Sequence, residues 1–107
     1  MSERVNGCGG KIAIAIGRVQ IDLTRRTVTD PLGGRQHLTP TERDILRLLD
    51  VRRGEVVSHD AIIEEIRGEG YACDNNALYV HLANLRRKLG PAGACLVSRR
   101  GAGYELL

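Results

Sequence analysis

The hydrophobic period changes at Leu38-Thr39-Pro40-Thr41-Glu42, and that change limits the fold more than any other feature of the chain. Before it, apolar residues alternate: Ile12, Ile14 and Ile16, then Val19, Ile21 and Leu23 beyond Gly17, then Val28 between Thr27 and Thr29. A period of two places such side chains on one face of half-buried strands. Arg25-Arg26 and Asp30-Pro31-Leu32-Gly33-Gly34 are turn sequences, and Arg35 to Leu38 supplies a last short strand. The first third therefore predicts a small antiparallel sheet with short connections.

From Thr39 onward the spacing is helical. Thr39 is suited to cap, Pro40 to the first helical position, and Glu42, three residues after the cap, to close a capping box. Ile45, Leu46, Leu48 and Leu49 form the apolar face, and Arg52-Arg53-Gly54 ends the helix. Val56-Val57 reads as an extended connector. Ser58 caps a second helix with Ile62, Ile63 and Ile66 inward, closed by Gly68 and Gly70, and residues 68–74 form a loop. A third helix follows from about Asn75 to Leu89, capped by Asp74 or Asn75. Its Leu78, Leu82, Leu85 and Leu89 span about 60° of the circumference, a narrow buried seam. Gly90-Pro91-Ala92-Gly93 stops it. Cys95 to Ser98 and Tyr104 to Leu106 read as a hairpin whose tip is Arg99-Arg100-Gly101-Ala102-Gly103.

A chain of 107 residues is about one domain. With no Phe or Trp its core must be aliphatic, and no apolar run approaches the roughly 20 residues that cross a bilayer. Residues 1–10 are polar and glycine-rich and read as a flexible tail, with no long apolar stretch to suggest a secretory signal. Cys8, Cys73 and Cys95 are odd in number, lack C-x-x-C spacing and do not cluster with the three His. That pattern fits free thiols in a reducing cytoplasm better than a disulfide framework or a zinc site. No cofactor or metal is expected. An enzyme is disfavoured too: His37, His59 and His81 fall on different elements, and Gly7-x-Gly9-Gly10 precedes a strand, so it is no dinucleotide fingerprint.

Charge is segregated. Residues 1–74 hold 11 basic and 12 acidic side chains, whereas residues 75–107 hold five basic and one acidic. Arg86, Arg87, Lys88, Arg99 and Arg100 all lie in that last third, which suggests a polyanionic partner. The third helix turns Asn76, Val80, Ala83, Asn84 and Arg87 away from its leucine seam, bordered by Tyr79 and Arg86 on one side and His81 and Lys88 on the other. Small residues let a helix approach a major groove, amides read base edges and flanking cations meet phosphates.

LTPTERDILRLL (38–49), VVSHDAIIEEIRG (56–68), YVHLANLRRKLG (79–90) and VSRRGAGYELL (97–107) together resemble the C-terminal effector domain of OmpR/PhoB-type response regulators of two-component systems. The resemblance covers residues 11–107. It implies an α+β winged helix-turn-helix: an N-terminal four-stranded antiparallel sheet (11–38), a three-helix core (39–94) and a C-terminal β-hairpin wing (95–107). It further implies a transcription regulator that binds double-stranded DNA sequence-specifically, usually in tandem on direct repeats, with the third helix in the major groove and the wing in the adjacent minor groove. Carried over by motif position, Val80 and Asn84 face bases and Asn76, His81 and Arg86 lie at or near phosphates. Arg100 marks the wing tip with Ser98 nearby on the backbone, and Arg87, Lys88 and Arg99 complete the basic surface.

Three positions depart from the family pattern. Asn84 stands where an arginine is common, Arg67-Gly68 where Trp-Gly is common, and Arg43 where an aromatic is usual. The chain has no room for the N-terminal receiver of such regulators, so a standalone regulator is expected over an excised domain. The alternative function is a protein-interaction module that binds RNA polymerase or another regulator through the 68–74 loop and the acidic second helix (Glu64, Glu65, Glu69), and a homodimer or tandem assembly on DNA is a further expectation.

Overall fold

The computed structural model describes residues 13–68 and 75–107. The expected 1–10 tail, Cys8, Cys73 and nearly all of the 68–74 loop lie outside the described residues, as does the capping side chain expected at Asp74 or Asn75.

The alternating first third folds as a four-stranded antiparallel sheet in sequential order, β1 (Ala13–Ile16), β2 (Val19–Asp22), β3 (Thr27–Thr29) and β4 (Arg35–His37). Ile14 pairs with Ile21 and Ile21 with Val28, so one face carries the buried aliphatics. The two-residue turn Gly17-Arg18 closes the first hairpin with Gly17 at φ 59°, a left-handed conformation that glycine adopts without steric cost. In the β3–β4 turn the Asp30 carboxylate accepts from the backbone N–H groups of Leu32 and Gly34, both at 2.8 Å.

Helix α1 (Pro40–Val51) starts with the expected reciprocal cap. The Glu42 N–H donates to Thr39 Oγ1 at 3.1 Å, and the Thr39 N–H donates to Glu42 Oε1 at 2.9 Å. Each partner thus satisfies a backbone donor that the first helical turn leaves open. Arg43, in place of an aromatic, lies along the helix with its Nε donating to Asp44 Oδ1 at 3.1 Å, and Arg47 meets the same oxygen at 3.1 Å. These two guanidinium groups compensate a carboxylate that has no solvent exposure. Past the helix end, Arg53 donates to the Ala15 carbonyl at 2.8 Å and ties α1 to the edge strand β1.

Helix α2 (His59–Gly68) is capped by Ser58, whose Oγ accepts from the Ala61 N–H at 3.1 Å. Helix α3 (Asn75–Leu89) runs on into a 3-10 helix at Gly90–Cys95. Ile45, Leu46 and Leu49 of α1, Ile62, Ile63 and Ile66 of α2 and the four leucines of α3 join the sheet's inner face in one continuous core.

Three expectations are corrected at the C-terminal end. Val56-Val57 is not a bare connector. It is β5 (Val56–Ser58), which pairs antiparallel with β7 (Gly103–Leu106), and β6 (Leu96–Arg99) pairs with the other side of β7. The hairpin is thus two-thirds of a three-stranded sheet. The hairpin strands also extend one residue nearer the tip than expected, because Arg99 and Gly103 pair and the Ala102 N–H closes on the Arg99 carbonyl at 2.9 Å. Cys95 belongs to the 3-10 helix instead of β6. Gly103 allows the close crossing: a Cβ there would strike the Val57 carbonyl oxygen.

Candidate nucleic-acid interface

Helix α3 is anchored by its seam. Leu78, Leu82, Leu85 and Leu89 are 1% exposed or less, which fixes the rotation of the helix about its axis. The opposite side therefore faces outward. Val80 is 57% and Tyr79 52% exposed, Asn76, Ala83 and Arg87 are exposed, and Asn84 and His81 are half-buried. The outward face of α3 thus combines an exposed valine and tyrosine with amides and an arginine, and the helix carries no carboxylate.

The wing stands next to α3. Arg100, Gly101 and Ala102 form its tip, with Gly101 at φ 74°. Arg100 and Ser98 are exposed. Arg87 and Arg100 are exposed and form no ion pair among the described residues.

Three cations expected on this surface are already engaged within the chain. Lys88 Nζ lies 2.7 Å from Glu42 Oε1, joining the end of α3 to the start of α1. Arg99 Nε lies 2.8 Å from Glu105 Oε1, across the hairpin diagonal. Arg86 donates from Nε and Nη2 to the Leu96 carbonyl, at 3.1 and 2.9 Å. The basic surface is accordingly sparser than the charge count suggests.

Sequence reasoning missed an aromatic group at the root of the wing. His59, the first residue of α2, meets the Tyr104 ring edge-on at 5.3 Å and the Tyr79 ring at 6.0 Å. The Arg86 guanidinium sits 5.9 Å from the centre of the Tyr104 ring. Burial pushes the Tyr104 hydroxyl above its ordinary pKa and the nearby Tyr79 adds to that, against the opposing pull of Arg86 and a hydrogen bond with Ser98. The three rings stand 20 to 45 positions apart, so spacing alone could not have grouped them. The isolated tyrosine in β7, opposite a serine in the register, was the available signal.

A four-stranded sheet, three helices and a hairpin wing packed beside the third helix define a winged-helix effector domain. Residues 33–106 match the family described as "Transcriptional regulatory protein, C terminal", and the chain belongs to that family, one of regulators and not of enzymes. It is 40% identical over 78 residues to the atypical response regulator protein ChxR of Chlamydia trachomatis, an alignment that takes in 73% of this chain and 34% of that protein. The chain thus spans about a third of the length of that curated relative. Among solved structures, the C-terminal domain of the nisin resistance regulator NsrR superposes with a TM-score of 0.74 at 28% identity, covering 86% of this chain and 93% of that one. The DNA-binding domain of RstA from Klebsiella pneumoniae, solved in complex with RstA box, gives 0.69 at 26% identity, covering 88% and 95%. No helix among the described residues is long and apolar enough to cross a membrane.

Proposed function

We propose that the chain is a cytoplasmic transcription regulator that binds double-stranded DNA sequence-specifically, with α3 in the major groove and the wing tip in the adjacent minor groove. The observation that carries this reading is the outward face of α3: an exposed Val80 beside Asn84, on a helix free of acids, next to the exposed Arg87 and Arg100, which form no ion pair among the described residues. Val80 offers a methyl surface to a thymine, and Asn84 offers the donor and acceptor pair that matches an adenine edge. Asn76, His81 and Arg87 flank these two and meet phosphates. Arg100 enters the minor groove, with Ser98 on the backbone. The RstA DNA-binding domain, solved in complex with RstA box, supports the assignment through a shared fold. Two copies bind direct repeats in tandem.

Selection from a random duplex pool, followed by band shifts at two salt concentrations, tests this. The expected result is an enriched motif, arranged as a direct repeat, with affinity that falls as salt rises by a slope of about 0.9 per phosphate neutralised. No enrichment, and no shift at low salt, would sink the proposal.

A further inference from the structure

The wing strands are rooted in the core by Leu96, Tyr104 and Leu106 and by the pairing of β7 with β5, and one side chain of α3 reaches both strands. Leu96 opens β6, Tyr104 lies in β7, and Arg86 of α3 touches both: its Nε and Nη2 converge on the Leu96 carbonyl at 3.1 and 2.9 Å while its guanidinium carbon stands 5.9 Å from the Tyr104 ring centre. A second tie passes through His59, whose ring meets Tyr104 at 5.3 Å and Tyr79 at 6.0 Å. Tyr79 and Arg86 are seven residues apart, two turns along the same side of α3. Tyr104 is therefore bracketed from two heights on that helix. The 3-10 helix closes the same corner from below, because a Cβ on Gly93 would lie 2.7 Å from the Arg86 carbonyl oxygen.

A hairpin held at its root in this way has its tip set by the root. We infer that Arg86 is a positioning residue, which fixes the spacing between the outward face of α3 and the Arg100 tip so that the two enter successive grooves; it does not serve as a phosphate contact. The inference rests on the DNA-binding reading above. Lysine cannot substitute, since a single ammonium does not fork onto one carbonyl through two N–H groups held in a fixed plane.

A double-mutant cycle separates the two roles. Arg86→Lys, Arg86→Ala and Arg100→Ala, with both double variants, are titrated against the selected duplex. A positioning role predicts that Arg86→Lys loses about as much affinity as Arg86→Ala, roughly tenfold, and that neither loses more once Arg100 is alanine. Binding largely retained by Arg86→Lys, or losses that add to that of Arg100→Ala, would overturn it. If Arg86→Ala does not fold, the lysine variant alone and in the Arg100→Ala background decides the question. A second readout needs no DNA: amide hydrogen exchange in β6 should quicken in Arg86→Lys while α3 stays protected, and unchanged β6 protection would also overturn the inference. Failure of the DNA-binding reading is distinct, because it shows as no binding by the unmodified chain.

Discussion

Glu42 and Lys88 form an ion pair at 2.7 Å between the first turn of α1 and the last turn of α3, and the same Glu42 oxygen accepts the Thr39 N–H of the capping box. One carboxylate thus serves two structures. It starts α1, and it anchors the end of the helix that carries Val80 and Asn84. Glu42 is 1% exposed, so these two donors stand in for the water its carboxylate lacks.

Glu42→Ala should lower stability by about 3 kcal/mol, since it removes the side-chain half of the capping box and strands a largely buried ammonium. Glu42→Gln keeps an acceptor for Thr39 and should cost only about 1 kcal/mol. Lys88→Met should fall between them. Urea unfolding of the single and double variants measures the coupling. Strict additivity of Glu42→Ala and Lys88→Met would show that the contact contributes nothing.

Gly103→Ala should be severe and Gly101→Ala mild, although they are two residues apart in the wing. A methyl on Gly103 strikes the Val57 carbonyl and forces β5 away from β7, which should cost about 3 kcal/mol. Gly101 has open space around its Cβ position and differs only by its left-handed backbone, a penalty of about 1 kcal/mol. Thermal melts should separate them by more than about 8 °C. Equal losses would mean that the β5–β7 crossing does not govern wing stability.

Local chemistry made most of the fold legible. The capping box at Thr39 and Glu42 is written in four consecutive residues, and the α3 seam repeats often enough to fix both the helix and its buried side. β5 escaped because it has three residues, one of them buried, and pairs with a strand 45 to 49 positions later. The outward face of α3 could be deduced from the seam, but the allocation of its cations could not. Arg86 turns to a backbone carbonyl ten residues on, Lys88 to a carboxylate in α1, and Arg99 to Glu105, the sole acid of residues 75–107. Periodicity assigns a residue to a face. Which partner a long, flexible cation then finds depends on tertiary contacts that no spacing encodes.

Base contacts and phosphate contacts should separate in binding experiments. Asn84→Ala should change which duplex is preferred, at a cost of about 1–3 kcal/mol on the original site. Arg100→Ala should weaken all duplexes alike and reduce the salt slope by about 1. Competition with shuffled duplexes at several salt concentrations distinguishes these outcomes. If Asn84→Ala leaves the ranking of sequences intact, Asn84 does not read bases.

Tyr104 links the wing root to alkaline stability. Burial holds its hydroxyl protonated beyond the ordinary value of 10.0, with Tyr79 acting in the same direction. In the unfolded chain the same hydroxyl ionises near 10. Below that pH both states keep the proton and Tyr104 confers no pH dependence. As pH rises from about 10 toward the folded value, the unfolded state loses its proton first, so the equilibrium shifts toward unfolding and stability falls. Tyr104→Phe removes this contribution. Its urea midpoint should therefore decline less steeply above pH 10 than that of the unmodified chain. Tyrosinate absorbance of the folded protein supplies the companion measurement, because the step that disappears in Tyr104→Phe should be centred above pH 10.0. A missing step centred at or below that value would mean that the ring is solvated, and that the Arg86–Tyr104–His59 corner is open in solution.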